Sequence, residues 1–337
     1  MACIDRNAKG IVLVADEDRR LIGTLTDGDL RRAVLAQVDL DSQVSALLDQ
    51  KESDLFPTPV TASAGTDGAT LIELMNRNSL RHIPLLDETG RIAGLAVLTD
   101  LVKEIELPLK AVVMAGGLGQ RLGPLTADIP KPMLPVGGTP LLHRIVEQLR
   151  SAGIRRVHLT THYRAEAISD YFGTGKEFGV EIDYVNEKDP LGTAGALGMV
   201  GSEETPLLVM NGDIITQVNL HEFLHFHTHH RAAMTVAVQP YEVNVPYGVV
   251  EIDGVEIVDI TEKPLIRRFV NAGIYLVTNE ACRMIRPGER VDMPDLIRRV
   301  LDAELRVAGF PLREYWLDIG HHEDYERANI EAGWSEA

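Results

Sequence analysis

AVVMAGGLGQRLGPLTADIPKPMLPVGGT, residues 111–139, decides how the larger part of this chain is read. Ala111 to Met114 is a short apolar run of the kind that forms a buried strand. Ala115, Gly116, Gly117 and Gly119 follow at once, and glycines there allow positive φ and let backbone N–H groups close on an anion. Arg121 adds a forked cation suited to phosphate oxygens, and Lys131 sits between two prolines that restrict its backbone. The stretch is machinery for gripping a polyphosphate. A P-loop is excluded, because no Lys-Ser or Lys-Thr pair closes the glycines. A dinucleotide fingerprint is excluded as well, because proline-rich sequence follows where a second strand and its ribose-binding acid belong. That removes a dehydrogenase from consideration.

Outward from this loop the pattern alternates. Residues 140–152 carry Leu141, Leu142, Ile145, Val146 and Leu149 at helical spacing and are ended by Gly153. A strand over 157–162, a helix over 165–171 and a strand over 180–185 follow. Alternation at this spacing predicts an α/β domain, a Rossmann-like and mostly parallel sheet with helices on both faces and ligands beyond the carboxyl ends of its strands. Residues 207–215, LLVMNGDII, read as an apolar strand running into Asp213. A carboxylate there can hold a divalent cation or merely cap a turn.

Composition narrows the class. The 337 residues favour two domains, and the net charge of −17, spread along the chain, argues against a nucleic-acid surface. An acidic protein that binds phosphates must do so with local cations and a metal. Two cysteines, Cys3 and Cys282, suggest no disulfide framework. No signal peptide or membrane-length apolar run is present, so a cytoplasmic protein that engages no membrane is expected.

The first hundred residues repeat internally. VLVADEDRRLIGTLTDGDL (12–30) aligns without gaps with IPLLDETGRIAGLAVLTDL (83–101), pairing Asp16 with Asp87, Gly23 with Gly94 and Asp29 with Asp100. Each copy reads as strand, turn, strand and helix start. This pattern resembles a pair of CBS repeats, which sets the expected division at 1–106 and 107–337. The resemblance implies a smaller α+β domain that can take an adenine nucleotide, with Thr26 and Asp29 holding the ribose. In the second copy Val97 replaces the threonine, so the first copy is the candidate. Residues 57–71 have no counterpart before Met1. Either the true start lies upstream, or the unit is incomplete and borrows structure elsewhere. Regulation by a nucleotide and a purely structural or dimerising role both remain open, and a homo-oligomer is expected.

The larger segment resembles the sugar-1-phosphate nucleotidyltransferases. The resemblance rests on the signature at 116–140 and continues through Leu191-Gly192-Thr193-Ala194-Gly195, Asn211-Gly212-Asp213, Glu262-Lys263-Pro264, Asn271-Ala272-Gly273 and Trp316-Leu317-Asp318-Ile319-Gly320. It implies that a nucleoside triphosphate and a sugar 1-phosphate give an NDP-sugar and pyrophosphate, with Mg²⁺ on Asp213 and Asp318. Arg121, Lys131 and Lys263 are the expected catalytic cations. The nucleotide is expected at Ala115, Gly116, Gly117, Gly119, Arg121, Glu187, Gly192 and Thr193. The sugar is expected at Gly248, Glu262, Lys263, Asn271 and Gly273.

Glu187 would meet the base edge, and a carboxylate can accept from both N1–H and the 2-amino group of guanine but finds one N–H on uracil or thymine. The string also looks most like mannose- and heptose-1-phosphate guanylyltransferases, and a CBS pair on such a domain resembles guanylyltransferases of amino-sugar pathways. GTP is therefore favoured, with mannose, heptose or glucosamine 1-phosphate as acceptor. The same reaction with UTP, CTP or dTTP stays open, as does an inactive nucleotide-sensing regulator. HEFLHFHTHH (221–230) places His221, His225 and His229 at i, i+4 spacing, but reads better as the end of an ordinary helix. His321 and His322 stand where the family has a small or basic residue and proline, which implies a differently shaped loop beside Asp318.

Overall fold

The computed structural model of the chain describes residues 4, 9–36, 38, 43–49, 58–78, 80–101, 107, 109–117, 119–187, 189–200 and 205–332. Its contacts fall into two compact units, 1–106 and 107–337. Among the described residues no helix is long and apolar enough to cross a membrane.

The internal repeat of the smaller unit is visible down to single hydrogen bonds. Strands β1 (Ile11–Ala15) and β2 (Leu21–Thr26) form one antiparallel hairpin, with a register shift between Val14 and Ala15. After β3 (Ala62–Ser63), strands β4 (His82–Leu86) and β5 (Ile92–Val97) form the second, with the shift at the equivalent Leu85 and Leu86. Asp16 accepts from Arg20 N–H at 2.8 Å and Asp87 from Arg91 N–H at 2.9 Å. These are the same side-chain-to-backbone turn, for which aspartate is suited because its short carboxylate reaches its own downstream backbone. The hairpins meet at an antiparallel bridge between Arg20 and Arg91.

In the larger unit, β6 (Lys110–Met114) leads into the glycine loop, and the short pair β7 (Pro135–Val136) and β8 (Thr139–Pro140) closes that segment. Then come β9 (Arg156–Thr161), β10 (Glu181–Asn186), β11 (Leu207–Asn211), β12 (Ile214–Thr216) and β13 (Met234–Asn244). The remainder are β14 (Val249–Asp253), β15 (Glu256–Thr261), β16 (Leu265–Val277), β17 (Val307–Pro311) and β18 (Trp316–Asp318). Seven of these make one sheet in the order β10-β9-β6-β11-β16-β13-β17. Only β16 runs antiparallel to its neighbours, so the sheet is mostly parallel as the alternation implied.

Side chains of β6 alternate between two cores. Ala111 and Val113 join the side covered by helices Leu141–Ser151, Ala165–Phe172 and Leu220–His229. Val112 joins the side covered by helix Met293–Asp302, through Met293, Leu296 and Val300. A strand buried on both faces has to be apolar throughout, which is why AVVM lacks polar alternation.

One expectation needs revising. Residues 207–215 are not a single strand: β11 ends at Asn211, and β12 leaves the main sheet to pair with β18. The break comes where Gly212 crosses the end of β6, its N–H donating to Met114 O at 2.9 Å. A Cβ at Gly212 would lie 2.6 Å from that carbonyl oxygen. Asp213 therefore sits on a turn between two sheets, beside the start of the glycine loop, where a strand would have carried it past.

Candidate active site

The phosphate-side residues converge around this turn. Gly119 adopts φ +62, and a Cβ there would meet the Thr126 side chain at 2.8 Å and Lys131 Cβ at 3.1 Å. Thr126, buried, ties the loop by donating to Gly119 O at 2.9 Å. The glycine loop thus packs directly on the Pro-Lys-Pro segment. Lys131 Nζ donates to Asp213 Oδ2 at 2.6 Å, a contact between residues 82 apart in sequence.

Asp213 and Asp318 are brought side by side by the pairing of β12 with β18. Ile214 faces Asp318 across the ladder, and Ile319 N–H donates to Asp213 O at 3.0 Å. Partial burial raises the Asp318 carboxyl above the ordinary aspartate range, and the nearby Asp213 charge pushes the same way. Lys131 opposes the rise, Asp324 adds to it and Arg121 opposes it. Gly320 lies among these groups. A Cβ there would be 3.7 Å from Asp324 Oδ2, 3.9 Å from Asp318 Oδ1 and 4.0 Å from the Arg121 guanidinium. Two neighbouring carboxylates, one of them already holding an ammonium group, form a donor set that fits a hard divalent cation. Among the described residues no group of three or more His, Cys, Asp or Glu could hold a metal. Asp213 and Asp318 are the two carboxylates this site would offer a cation.

The residues expected at the sugar fall into two groups, Gly248, Glu262 and Lys263 in one and Asn271 and Gly273 in the other. A Cβ at Gly248 would lie 3.0 Å from Glu262 Oε2, and Lys263 N–H donates to Tyr247 O at 3.2 Å. Lys263 is held at φ +46, a left-handed conformation costing a side-chain-bearing residue roughly 1–2 kcal/mol. Asn271 is engaged at both ends of its amide, donating to Tyr275 Oη at 2.8 Å and accepting from Gly273 N–H at 3.0 Å. Gly273, at φ +73, leaves no room for a Cβ against Asn211 Nδ2, 2.6 Å away. This contact links the sugar-side strand to the Asp213 turn. Trp316 Nε1 donates to Ala272 O at 2.8 Å and links it to β18. Burial, opposed by Asn271 and reinforced by the Asp213 charge, pushes the Tyr275 hydroxyl up to about 12.

On the base side, Glu187 is buried, and its Oε2 accepts from Leu191 N–H at 3.0 Å. Burial raises its proton affinity, against the opposing Leu191 N–H and His162. His162 lies between Glu187 and the glycine loop. Its Nδ1 is 2.9 Å from Glu187 O, and its backbone N is 3.3 Å from where a Gly116 Cβ would be. Gly192 at φ +77 and Thr193 open a short helix, Gly192–Gly195, lodged against Val291 and Asp292.

Sequence reasoning missed His162, Tyr275, Asp292 and Asp324. His162 stands alone after a strand, and the other three owe their position to contacts 3 to 99 residues away in sequence. Conversely, the histidine run is built as a helix. Asn219 caps it by accepting from His221 and Glu222 N–H, each at 3.1 Å, and His227 is buried against Thr235 Oγ1 at 2.8 Å. In the smaller unit Thr26 and Asp29 satisfy each other in a capping box. Thr26 Oγ1 and N–H donate to Asp29 Oδ2 at 2.8 and 2.7 Å. In the second copy Asp100 is instead paired with Lys9 Nζ at 2.8 Å.

Both units of the chain resemble known protein families. Residues 110–333 match the nucleotidyl transferase family and residues 53–107 the CBS domain family. A mannose-1-phosphate guanylyltransferase of Mycobacterium tuberculosis is 34% identical over 231 residues, covering 66% of this chain and 64% of the relative. The chain thus spans less than two thirds of that relative's length. A D-glycero-alpha-D-manno-heptose 1-phosphate guanylyltransferase of Aneurinibacillus thermoaerophilus is 31% identical over 229 residues, covering 66% of this chain and 98% of the relative. Among solved structures, HddC from Yersinia pseudotuberculosis complexed with GMP-PN superposes with a TM-score of 0.53 at 26% identity, over 66% of this chain and 99% of the other.

Proposed function

The chain belongs to the nucleotidyl transferase family, and on that premise we propose that its larger unit transfers a guanylyl group from GTP to a sugar 1-phosphate, releasing pyrophosphate and forming a GDP-sugar. The observation that carries this reading is the convergence of Lys131, Asp213, Asp318 and Arg121 beside the glycine loop. A mannose- or heptose-type acceptor is favoured because relatives of both kinds are named for those substrates. Guanine is favoured because Glu187 can accept two hydrogen bonds from its edge.

The sugar phosphate is already ionised, so its oxygen attacks the α-phosphorus without a protein nucleophile, and the P–O bond to pyrophosphate breaks in line. Catalysis is then positioning and charge neutralisation. Backbone N–H groups of Gly116, Gly117 and Gly119 cradle the triphosphate, while that of Ala115 donates to Thr160 O at 3.0 Å, and Arg121 meets charge developing on the leaving pyrophosphate. Lys131 leaves Asp213 for the α-phosphate, and Lys263, fixed by its backbone, holds the acceptor phosphate. Asp213 and Asp318 would hold Mg²⁺, which when bound screens charge on the phosphate oxygens. Glu262 and the approach permitted at Gly248 and Gly273 orient the sugar. For the smaller unit the reading is an adenine nucleotide at the first repeat, where Thr26 and Asp29 would turn from capping each other to the ribose hydroxyls.

The test is pyrophosphate release with Mg²⁺, crossing GTP, UTP, CTP, dTTP and ATP with mannose, heptose, glucosamine and glucose 1-phosphates. GTP with one of the first three should turn over. Turnover with another base alone would overturn the Glu187 argument, and no release with any pair would overturn the reading.

A further inference from the structure

Asp292 occupies the N-cap position of helix Met293–Asp302 but does not cap it. An aspartate there ordinarily accepts from backbone N–H groups of its own first turn. Here its Oδ1 accepts from Thr193 N–H at 3.0 Å, ninety-nine residues earlier. Thr193 reciprocates: its Oγ1 accepts from Met293 N–H at 2.7 Å. The two residues complete, between distant segments, the exchange that a capping box makes within one helix start. Backbone bonds extend the seam. Val291 N–H donates to Leu191 O at 2.9 Å, and Val291 O accepts from Ala194 and Gly195 N–H at 2.9 and 3.1 Å.

The seam tolerates no side chain at Gly192 or Gly195. A Cβ at Gly192 would lie 2.6 Å from both Asp292 Oδ1 and Val291 O, and one at Gly195 would lie 2.5 Å from Glu289 O. Glu289 is itself fixed, accepting from Arg299 at 2.7 Å and from Arg286 N–H at 3.0 Å. The N–H groups of Thr193, Ala194 and Gly195 are therefore spent within the protein. What the loop delivers toward a nucleotide is the placement of Leu191, whose N–H holds the Glu187 carboxylate at 3.0 Å.

We propose that Thr193 and Asp292 form a clasp that sets the position of the base-reading carboxylate Glu187, making Asp292 a positioning residue for nucleoside triphosphate selection. This rests on the transferase reading for its kinetic consequence, though not for its structural one. With the clasp open, the NTP should bind less well while the phosphates, once bound, react as before.

The experiment uses the full chain with Asp292→Ala, Asp292→Asn, Thr193→Val and Thr193→Ser. Hydrogen exchange in the substrate-free protein is read at residues 187–196, and kinetics are read across the NTP panel. Asp292→Ala and Thr193→Val should speed exchange at 193–195. They should raise KM for the preferred NTP on the order of tenfold with kcat nearly unchanged, and narrow its advantage over other bases. Asp292→Asn keeps an acceptor oxygen and should stay near wild type in exchange and kinetics, and Thr193→Ser, which keeps one too, should stay near wild type in exchange. Unchanged exchange at 193–195, or a loss confined to kcat, overturns the clasp. Absence of turnover in the wild-type chain would count against the transferase reading alone, because the exchange arm still decides the clasp. Should Asp292→Ala not fold, the Thr193 pair carries the same comparison.

Discussion

Gly212→Ala should damage the larger unit out of proportion to one methyl group. The new Cβ would start 2.6 Å from Met114 O, and 3.3 Å from Met114 C and Ala115 Cα. Reaching ordinary contact at 3.4 Å requires the methyl and the carbonyl to part by about 0.8 Å. Both partners are main chain at the junction of β6 and β11, so no side chain can swing aside. The same displacement stretches the Gly212 N–H to Met114 O bond from its 2.9 Å. Overpacking at about 1–3 kcal/mol and a weakened buried hydrogen bond at about 1 kcal/mol give a loss of about 2–4 kcal/mol. For a unit of this size that lowers Tm by roughly 4–16 °C. Asp213 follows Gly212 directly, so divalent-cation affinity should fall with it. The control is Gly117→Ala, whose Cβ would meet nothing within 4 Å. Calorimetry with Mn²⁺ titration of both variants reads the contrast. If Gly212→Ala melts within 2 °C of wild type and binds Mn²⁺ normally, the close crossing does not hold the turn in place.

Three further outcomes follow from the same geometry. Asp318→Asn should raise the melting temperature of the metal-free protein near neutral pH while lowering Mn²⁺ affinity more than about tenfold. Because the folded-state carboxyl is raised above 3.8, ionising it costs stability as pH rises through that raised value, and asparagine removes the cost. A stability–pH series on both proteins checks the sign, and a destabilised variant would contradict it. Glu187→Gln should fold normally, since an amide oxygen can still accept from Leu191 N–H. It should lose about 10–100-fold in kcat/KM for GTP and much less for UTP, and equal losses would remove Glu187 from base reading. His227 is buried against Thr235 and held down from 6.5 to about 4, so folding favours its neutral form. It should contribute a loss of up to about 3 kcal/mol as pH falls from 6.5 toward 4, and His227→Gln should flatten that limb in acid-unfolding titrations.

The phosphate side of the site was legible because its chemistry is local in sequence. Gly119, Arg121 and Lys131 lie within one segment, and Asp213 is announced by the apolar strand before it. The turn that delivers Asp213 was not legible. Nothing in LLVMNGDII marks a change of sheet, because the cause is a glycine crossing a carbonyl ninety-eight residues earlier. Asp292 was hidden for the same reason, since its position at a helix start suggests a cap and only the fold reveals that it serves Thr193. Asn271 was readable as a polar group near the sugar, but its commitment to Tyr275 and Gly273 depends on side chains sharing one face of β16. In the smaller unit the repeat alone carried the two hairpins, because two copies of one pattern fold twice in the same way, while their matching register shifts and aspartate turns depend on backbone detail that the pattern does not spell out.

Phosphoryl chemistry between two substrates is observed directly by ³¹P NMR of the full chain with GTP, α-mannose 1-phosphate and Mg²⁺, with the heptose and glucosamine 1-phosphates in parallel. The proposed transfer requires that, with at least one of these acceptors, the sugar-phosphate and GTP resonances decline together while a nucleotide-sugar diphosphate and free pyrophosphate appear in equal amounts. Neither product should form when the sugar phosphate is withheld. GTP loss that proceeds equally well without an acceptor, or three unchanged spectra, would contradict it.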